Sequence, residues 1–387
     1  MSQLSIVLSK SRHCSGKCAF CSACSMMTFA QGYQDLKAID DVLYNEIVFD
    51  FNKLEETLTK HPKWPTCSTI QIWGNDPLTS FQSFQELFDF IKYLEKKYNK
   101  HFKVWASTNG LPLTRDDVAE YVAKNNIKLQ LSHDGIANYF RTADVEVLDN
   151  QNVIDLLKKN ITCIGCIHSF YNYQPLTNYH WFKNKLGDKT PHLRLWTIHD
   201  GEYDTQVKNV RGLINGKEYA ALKGVPFGDY MIRNDYEMAA KYNLPFLAHV
   251  ADDFFAQYMK LYVDIDKYPE AKSVLLNRMI DSVGPVQRPL CAQYHLGLSE
   301  YSDVIDTEGY YTECHLLDHY EHAQNKKLEK PKECHTCKFG YNNTECGLCG
   351  SLKQRQTVCQ FNYRLLNMYQ VLWNIPYLKE EINNGKW

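Results

Sequence analysis

Three cysteines near the start of the chain have a spacing suited to metal binding. Cys14, Cys18 and Cys21 form a CX3CX2C pattern, with Phe20 directly before the last of them and Cys24 just behind. Iron–sulfur cubanes are normally held by four thiolates, so three close cysteines could hold three irons and leave the fourth open to a small molecule. The same thiols could instead bind zinc or belong to a disulfide framework.

A second group of seven cysteines occupies the last third of the chain. The members of this group are Cys291, Cys314, Cys334, Cys337, Cys346, Cys349 and Cys359, and Gly309 precedes Cys314 in a Gly-X4-Cys pattern. Two CX2C arms in this block would satisfy one tetrahedral zinc ion, as in a zinc ribbon. A zinc ribbon would leave Cys291, Cys314 and Cys359 unexplained.

Composition places these cysteines in an ordinary globular protein. The chain has 387 residues, 44% of them hydrophobic and 23% charged, with a net charge of −2. This balance gives no electrostatic case for binding nucleic acid or a membrane surface. No signal peptide or 18-residue apolar run is visible. We therefore expect a cytoplasmic protein, whose fourteen cysteines are reduced and whose clustered thiols are metal ligands rather than disulfides.

The elements that must position these residues follow from the pattern of the first 200 residues. Short β-rich runs are expected at Ser5–Leu8, Thr69–Trp73, Lys103–Thr108, Ile127–Ser132, Thr162–His168 and Leu193–Ile198. Helical patterns lie between them at Asp41–Thr59, Phe81–Tyr98, Thr114–Lys124, Gln151–Asn160 and Thr177–Lys185. This alternation predicts an α/β fold with a parallel sheet, in the form of a partial (β/α)6 TIM-like barrel. The chemistry of such sheets lies at the carboxyl ends of the strands.

Three of the predicted strands end in polar segments. Gly74-Asn75-Asp76-Pro77 follows the second strand, Ser107-Thr108-Asn109-Gly110 ends the third, and Ser132-His133-Asp134-Gly135 ends the fourth. All three are rich in turn-forming residues, so each could be a simple turn. Their shared position makes them candidates for one binding site.

Together these motifs resemble the radical S-adenosylmethionine (SAM) enzymes. The resemblance implies that Cys14, Cys18 and Cys21 hold a [4Fe-4S] cluster whose open iron binds SAM. It also implies that an electron from the cluster cleaves SAM to a 5′-deoxyadenosyl radical, which abstracts hydrogen from a substrate C–H bond.

By the same resemblance, the strand-end segments are expected to form the SAM pocket. Gly74, Asn75 and Asp76 stand where the family usually has Gly-Gly-Glu, which holds the SAM amino group. Asn109 belongs to a Thr-Asn-Gly motif common at this position, and Ser132 matches a serine that contacts SAM. Further candidates for the cofactor site are Phe20, Asp134 and Arg141. Arg141 could pair with the SAM carboxylate, and a solvated surface arginine is an equal alternative.

The C-terminal cysteines resemble the SPASM domain, which houses auxiliary iron–sulfur clusters in this family. Its interleaved ligation implies one cluster on Cys334, Cys337, Cys346 and Cys359. A second cluster would use Cys291, Cys314 and Cys349, so one or two auxiliary clusters are expected. The layout is similar to that of sulfatase-maturing enzymes, in which an aspartate follows the second cysteine and acts as a base. His315 stands there instead and could act as the base, but this departure argues against a simple sulfatase maturase.

The resemblance implies a radical SAM/SPASM enzyme that most often acts on a peptide or protein side chain, by oxidation, cross-linking or epimerisation. A small-molecule substrate, such as a sugar or nucleotide, is the enzymatic alternative. A non-catalytic iron–sulfur electron carrier is the alternative of another class, and it would not need three strand-end SAM motifs. The enzyme would require a reductant such as flavodoxin or ferredoxin.

The expected domains are the barrel over residues 1–200, a helical or irregular connection over 201–288, the SPASM domain over 289–360, and a helix and tail over 361–387. Cys163 and Cys166 lie three apart in a predicted strand, so their side chains should point to opposite faces. We interpret these two cysteines and Cys67 as small buried hydrophobic residues.

Overall fold

Eight strands in the computed structural model form one sheet. The described residues are 2–8, 14–16, 36, 40–41, 44–45, 47–74, 76–138, 145–168, 172–197, 250–283, 304–312 and 365–384. The strands are β1 (Ser2–Val7), β2 (Cys67–Trp73), β3 (Lys103–Thr108), β4 (Lys128–Ser132), β5 (Ile161–His168), β6 (His192–Thr197), β7 (Val304–Asp306) and β8 (Tyr311–Thr312). Their order is β6-β5-β4-β3-β2-β1-β7-β8. Every neighbouring pair is parallel except β7 and β8.

The sheet has one apolar face and one polar face, because side chains alternate along each strand. Residues on the apolar face are almost completely buried in the main core. They include Leu4, Ile6, Ile70, Ile72, Val104, Ala106, Leu129, Leu131, Ile164, Leu193 and Leu195. The alternate positions form the polar face. They include Gln3, Ser5, Gln71, Trp73, Trp105, Ser107, Gln130, Ser132 and Arg194.

Helices connect the strands and bury their apolar sides. Those with both ends described are α1 (Phe51–Lys60), α2 (Phe81–Tyr98), α3 (Asp116–Lys124), α4 (Gln151–Leu156), α5 (Pro175–Leu186), α6 (Val250–Val263), α7 (Pro269–Val283) and α8 (Pro376–Asn384). In α2 the buried residues Phe84, Leu87, Phe88, Ile91 and Leu94 recur every three or four positions, which is the spacing of one helix face. The alternation of six parallel strands with helices confirms the predicted α/β partial barrel.

The helix predicted over Asp41–Thr59 is wrong as one continuous element. Asp40, Asp41 and Tyr44 are helical, but residues 47–50 are not, and α1 begins at Phe51. The carboxylate of Asp50 accepts a hydrogen bond from the Lys53 N–H at 3.0 Å. This contact caps α1 and explains why the helix starts there. Similarly, α4 ends at Leu156 and does not reach Asn160.

The hairpin formed by β7 and β8 comes from the C-terminal cysteine region and extends the barrel sheet. Ile305 of β7 pairs with Ile6 of β1. Gly309, in the hairpin turn, has a φ of +78°, and a Cβ there would lie 2.7 Å from the backbone of Lys53 and Leu54. The carbonyl oxygen of Gly309 accepts a hydrogen bond from the Thr57 hydroxyl at 2.7 Å. The turn is therefore packed directly on α1.

The end of the described chain packs on the core. Residues 365–373 are helical, and Leu365, Leu366, Tyr369 and Leu372 are fully buried. The Tyr369 hydroxyl lies 3.4 Å from that of Tyr258 in α6. Among the described helices, none is long and apolar enough to cross a membrane.

Candidate active site

Cys14, the first residue of the CX3CX2C pattern, lies against the carboxyl ends of β2 and β3. Its sulfur accepts hydrogen bonds from the Gly16 N–H at 3.2 Å and the Asn109 side-chain amide at 3.5 Å. The Ser15 N–H donates to the Thr79 hydroxyl at 3.2 Å, and the Thr79 hydroxyl donates to the Ser15 hydroxyl at 3.0 Å. These contacts fix residues 14–16 at the carboxyl-terminal edge of the sheet, where the site of a barrel enzyme is expected.

Asp76 is buried next to these residues and joins the ends of β2 and β3. One carboxylate oxygen accepts hydrogen bonds from the Asn109 N–H at 2.8 Å and the Thr108 hydroxyl at 3.1 Å. The other accepts the Leu78 N–H at 3.2 Å. Only 2% of the residue is exposed. Asp76 therefore holds Asn109, which in turn contacts Cys14, and the two strand-end segments and residues 14–16 form one connected unit.

A second set of contacts anchors the chain at Asp40, which follows the CX3CX2C motif in the sequence. The buried carboxylate of Asp40 accepts hydrogen bonds from the Gln82 N–H at 3.0 Å and from Arg115 at 3.3 Å. Burial raises the pKa of Asp40, although the Gln82 and Arg115 contacts oppose that rise. Arg115 also pairs with the exposed Asp117 at 2.6 Å. Ser15 and Asp40 are thus both tied to helices and turns of the barrel.

The end of β4 lies beside this unit in the same sheet. Thr108 pairs with Leu131, so Ser132 follows at the level of Asn109. Ser132 is half-buried on the polar face. Asp134 is 1% exposed, and its carboxylate accepts the Ile167 N–H at 3.0 Å. Asp134 therefore joins β4 to β5 in this structure.

His133, between those two residues, is fully buried on the side of α5. Its Nδ1 accepts the Gly135 N–H at 3.0 Å, its Nε2 lies 2.8 Å from Glu146, and its ring stacks on Trp181. Burial works to raise the pKa of Glu146, but the His133 contact and the Leu148 N–H outweigh it and leave that pKa lowered. This pair supports the turn that carries Ser132 and Asp134.

The isolated cysteines are buried, as predicted. Cys67 and Cys163 are each less than a tenth exposed, and Cys166 is fully buried. Cys163 pairs with His192 and Cys166 with Leu195, which places the two cysteines on opposite faces of the sheet. His168 is also fully buried, with its ring 6.0 Å from that of Phe254.

The residues present at Cys14 fit an iron–sulfur cluster. Two N–H groups point at its sulfur, and such donors stabilise a thiolate and tune cluster potentials. Within the described part of the chain, no three histidine, cysteine or carboxylate side chains gather as a metal site. The remaining candidates lie outside the described residues. These are Cys18, Phe20, Cys21, Asn75, Arg141, Cys291, Cys314, His315, Cys334, Cys337, Cys346, Cys349 and Cys359.

The structure brings together Cys14, Asp76 and Asn109. It places Gly74 at the end of β2 and Ser132 and Asp134 at the end of β4, with β3 between these two strands. Sequence reasoning missed Ser15 and Thr79. Both residues are almost fully buried, and they are hydrogen-bonded to each other next to Cys14. Thr79 follows Pro77 in a 3₁₀ turn, and nothing in its sequence context distinguishes it from a turn residue.

Comparison with known proteins relates the whole chain to solved structures of a known enzyme. No family model matches the sequence, and no curated protein matches it either. A solved structure of native anSMEcpe, an anaerobic sulfatase-maturating enzyme, with bound AdoMet (SAM) is similar with a TM-score of 0.56 and 14% identity, over 100% of both chains. The same enzyme with AdoMet and the Cp18Cys peptide has a TM-score of 0.53 and 15% identity, again over 100% of both chains.

This likeness covers the whole chain, including the strands whose ends carry the candidate site. At 14–15% identity it is evidence about the fold rather than about individual residues. The resemblance to radical SAM enzymes is therefore confirmed at the level of the fold: the chain has the fold of an AdoMet-binding sulfatase-maturating enzyme.

Proposed function

We propose that the chain is a radical SAM enzyme whose reactive cluster is held by Cys14, Cys18 and Cys21. Such a cluster supplies the electron that converts SAM to a 5′-deoxyadenosyl radical, which removes hydrogen from a substrate C–H bond. The protein residues hold the thiolates, orient SAM and shield the site.

The observation that carries this proposal is the position of Cys14. Its sulfur is hydrogen-bonded to Asn109 at the end of β3, and Asn109 is held by Asp76 at the end of β2. A CX3CX2C motif whose first cysteine contacts these two strand ends is what a SAM-binding cluster needs. An electron carrier would have no need of this arrangement.

Further roles in the proposed SAM pocket follow from the strand ends. Gly74 and Asn75 lead into Asp76, and Ser132 presents its hydroxyl on the polar face of the sheet. We assign these residues and Asn109 to SAM binding, with Phe20 and Arg141 as additional contacts and Asp134 as a residue that shapes the end of β4. The C-terminal cysteines would hold one or two auxiliary clusters, with His315 as a candidate base.

For the substrate, we propose a peptide or protein side chain, modified by oxidation, cross-linking or epimerisation. Support comes from the similar structures, because one of them contains the Cp18Cys peptide and another the Kp18Cys peptide. A small-molecule substrate remains the second candidate. An external reductant such as flavodoxin or ferredoxin would supply the electrons in a reducing cytoplasm.

The decisive experiment compares the wild-type protein with the triple variant Cys14→Ala, Cys18→Ala, Cys21→Ala after anaerobic reconstitution with iron and sulfide. With dithionite and SAM, we expect 5′-deoxyadenosine from the wild type only. The triple variant should lose about four irons while keeping the iron of the auxiliary clusters. Equal yields of 5′-deoxyadenosine from both proteins would disprove the radical assignment.

A control variant separates loss of the cluster from general damage. Cys163→Ala and Cys166→Ala remove buried thiols that lie outside the proposed cluster. This double variant should retain its iron and its SAM cleavage. A wild-type protein that binds zinc in place of iron would favour the structural zinc alternative.

A further inference from the structure

The side-chain amide of Asn109 has a fixed orientation at the end of β3. Its oxygen Oδ1 accepts a hydrogen bond from the Leu111 N–H at 2.9 Å and one from the Ser15 hydroxyl at 3.3 Å. A main-chain N–H can only donate, so the contact with Leu111 identifies the oxygen end of the amide. The nitrogen Nδ2 is therefore the atom that lies 3.5 Å from the Cys14 sulfur and 3.0 Å from the Ser15 hydroxyl.

The main chain of Asn109 is held as firmly as its side chain. The buried carboxylate of Asp76 accepts the Asn109 N–H at 2.8 Å. Asn109 is only 4% exposed, so its amide is largely shielded from water. A hydrogen bond in such surroundings is electrostatically stronger than one in water. The fold itself therefore determines the direction and the strength of the contact between Asn109 and Cys14.

Thr79 holds the next residue of the CX3CX2C motif. Its hydroxyl accepts the Ser15 N–H at 3.2 Å and donates to the Ser15 hydroxyl at 3.0 Å. These two contacts fix the main chain directly after Cys14, but they place no donor on its sulfur. The start of the motif therefore has two kinds of support: Thr79 holds the chain, and Asn109 supplies an N–H to the thiol.

An N–H donor at a cysteine ligand changes the reduction potential of an iron–sulfur cluster. Reduction adds negative charge that the sulfur ligands share, so a donor stabilises the reduced cluster more than the oxidised one. Hydrogen bonds to the sulfurs are among the features that set the potentials of such clusters. The Asn109 donor should therefore make a cluster on Cys14 easier to reduce.

We propose that Asn109 is a positioning residue that raises the reduction potential of the cluster held by Cys14, and that Thr79 holds the motif without affecting this potential. The inference rests on the proposed function, because it concerns the cluster proposed there. It adds a role toward the thiolate to the assignment of Asn109 to SAM binding. A higher potential makes the cluster more accessible to an external reductant.

The test is a redox titration of the reconstituted holoprotein, followed by electron paramagnetic resonance without SAM. The signal to follow is the one that the triple variant Cys14→Ala, Cys18→Ala, Cys21→Ala lacks. Asn109→Leu removes the donor and roughly keeps the volume of the side chain. At a fixed solution potential, we expect the ratio of reduced to oxidised cluster to fall about tenfold in this variant. For a one-electron couple this corresponds to a shift of about 59 mV to more negative potential.

Asn109→Asp distinguishes the donor from the turn that Asn109 forms. This variant keeps an oxygen for the Leu111 N–H and the Ser15 hydroxyl, and it replaces the amide nitrogen by a second carboxylate oxygen. We expect a potential at least as negative as that of Asn109→Leu, because a negative charge beside the thiolate opposes reduction. If Asn109 only held the turn, Asn109→Asp would match the wild type.

Two controls separate the potential from the hold on the chain. Thr79→Val removes the hydroxyl at nearly constant volume, so it should lose iron to a chelator about tenfold faster with an unchanged potential. Asn152→Leu makes the same chemical change as Asn109→Leu in α4, where the amide donates to the Asp116 carboxylate at 2.8 Å. It should change neither quantity. Thermal unfolding and circular dichroism check that each variant is folded.

Equal potentials in the wild type and both Asn109 variants would overturn the inference. Failure of both variants to take up the cluster would also overturn it, because Asn109 would then have only a structural role.

The potential is measured without SAM, so the two proposals can fail independently. A potential that depends on Asn109, in a protein that yields no 5′-deoxyadenosine, would retain the role of Asn109 and lose the radical function. SAM cleavage by a protein whose potential does not depend on Asn109 would retain the radical function alone. A wild-type protein that takes up no iron–sulfur cluster would overturn both.

Discussion

At the scale of single residues, the candidate site depends on a carboxylate and a thiol that are held by main-chain and side-chain donors. Asp76 receives three hydrogen bonds from the ends of β2 and β3, and Cys14 receives two at its sulfur. The spacing of the cysteines and the Gly-Asn-Asp-Pro segment predicts which residues matter. It does not predict that Asn109 connects them, because that contact joins residues 95 positions apart.

Asp76→Ala should damage both stability and SAM binding. The variant leaves the Asn109 N–H and the Thr108 hydroxyl without their buried acceptor, and each such group costs about 1–3 kcal/mol. Loss of a charged contact to the SAM ammonium should weaken SAM binding about ten- to a hundredfold. Thermal unfolding and equilibrium dialysis with SAM measure the two effects.

Two conservative variants separate these effects. Asp76→Asn keeps an acceptor oxygen and the size of the side chain, so it should preserve more stability than Asp76→Ala while still weakening SAM binding. Asp76→Glu introduces the residue usual in radical SAM enzymes and should retain much of the binding. Wild-type SAM affinity in Asp76→Ala would contradict a contact with SAM and leave Asp76 with its role in joining the strands.

Cys163 should be unreactive at neutral pH. Burial raises the pKa of its thiol to about 12, with Arg194 acting in the opposite direction. Because the thiolate is the nucleophile, alkylation should be slow near pH 7 and should accelerate as the pH rises toward that value. Iodoacetamide labelling over a pH series, followed by mass spectrometry of the peptides, measures this. Labelling of native Cys163 near pH 7 as fast as in urea would contradict the prediction.

At the scale of helices and strands, the sequence predicts the regular elements and misses the short ones. The six strands of the barrel are visible because apolar runs alternate with long helical patterns. The hairpin of β7 and β8 has strands of three and two residues, which are too short to show any periodicity. Similarly, the start of α1 at Phe51 depends on the capping contact of Asp50, which a hydrophobic pattern cannot reveal.

Arg115 should be important for holding the chain at Asp40 in place. It pairs with the buried Asp40 and with Asp117, which is 57% exposed at its side chain. Breaking a buried pair by removing one partner costs up to about 3–5 kcal/mol. Arg115→Ala should therefore lower the unfolding temperature and speed the loss of iron to a chelator.

The matched control for Arg115 is Asp117→Asn, which removes only the exposed partner. An exposed pair contributes less than about 1 kcal/mol, so this variant should resemble the wild type in unfolding and in the rate of iron loss. If the two variants behave alike, the contact with Asp40 is not what holds the segment.

At the scale of the whole molecule, two groups of cysteines separated by some 270 positions are predicted to serve different clusters. The wild-type protein should contain roughly twelve irons if three cubanes are present. Cys334→Ala with Cys337→Ala, and separately Cys291→Ala with Cys314→Ala, should each remove about four irons from a different cluster. Iron analysis and electron paramagnetic resonance distinguish them. If both double variants lose the same spectral signal, the C-terminal region holds one cluster.

The sheet also determines when the protein can complete its fold. β1 pairs with β2 on one side and with β7 on the other, although β7 begins about 300 residues after β1 in the chain. At a synthesis rate of about 5–20 residues per second, the second edge of β1 waits roughly 15–60 s for its partner. During that interval the ribosome-bound barrel has an uncovered strand edge, which is a template for pairing with other chains. Molecules truncated before Val304 should therefore aggregate during translation, even though they contain all six βα units of the barrel.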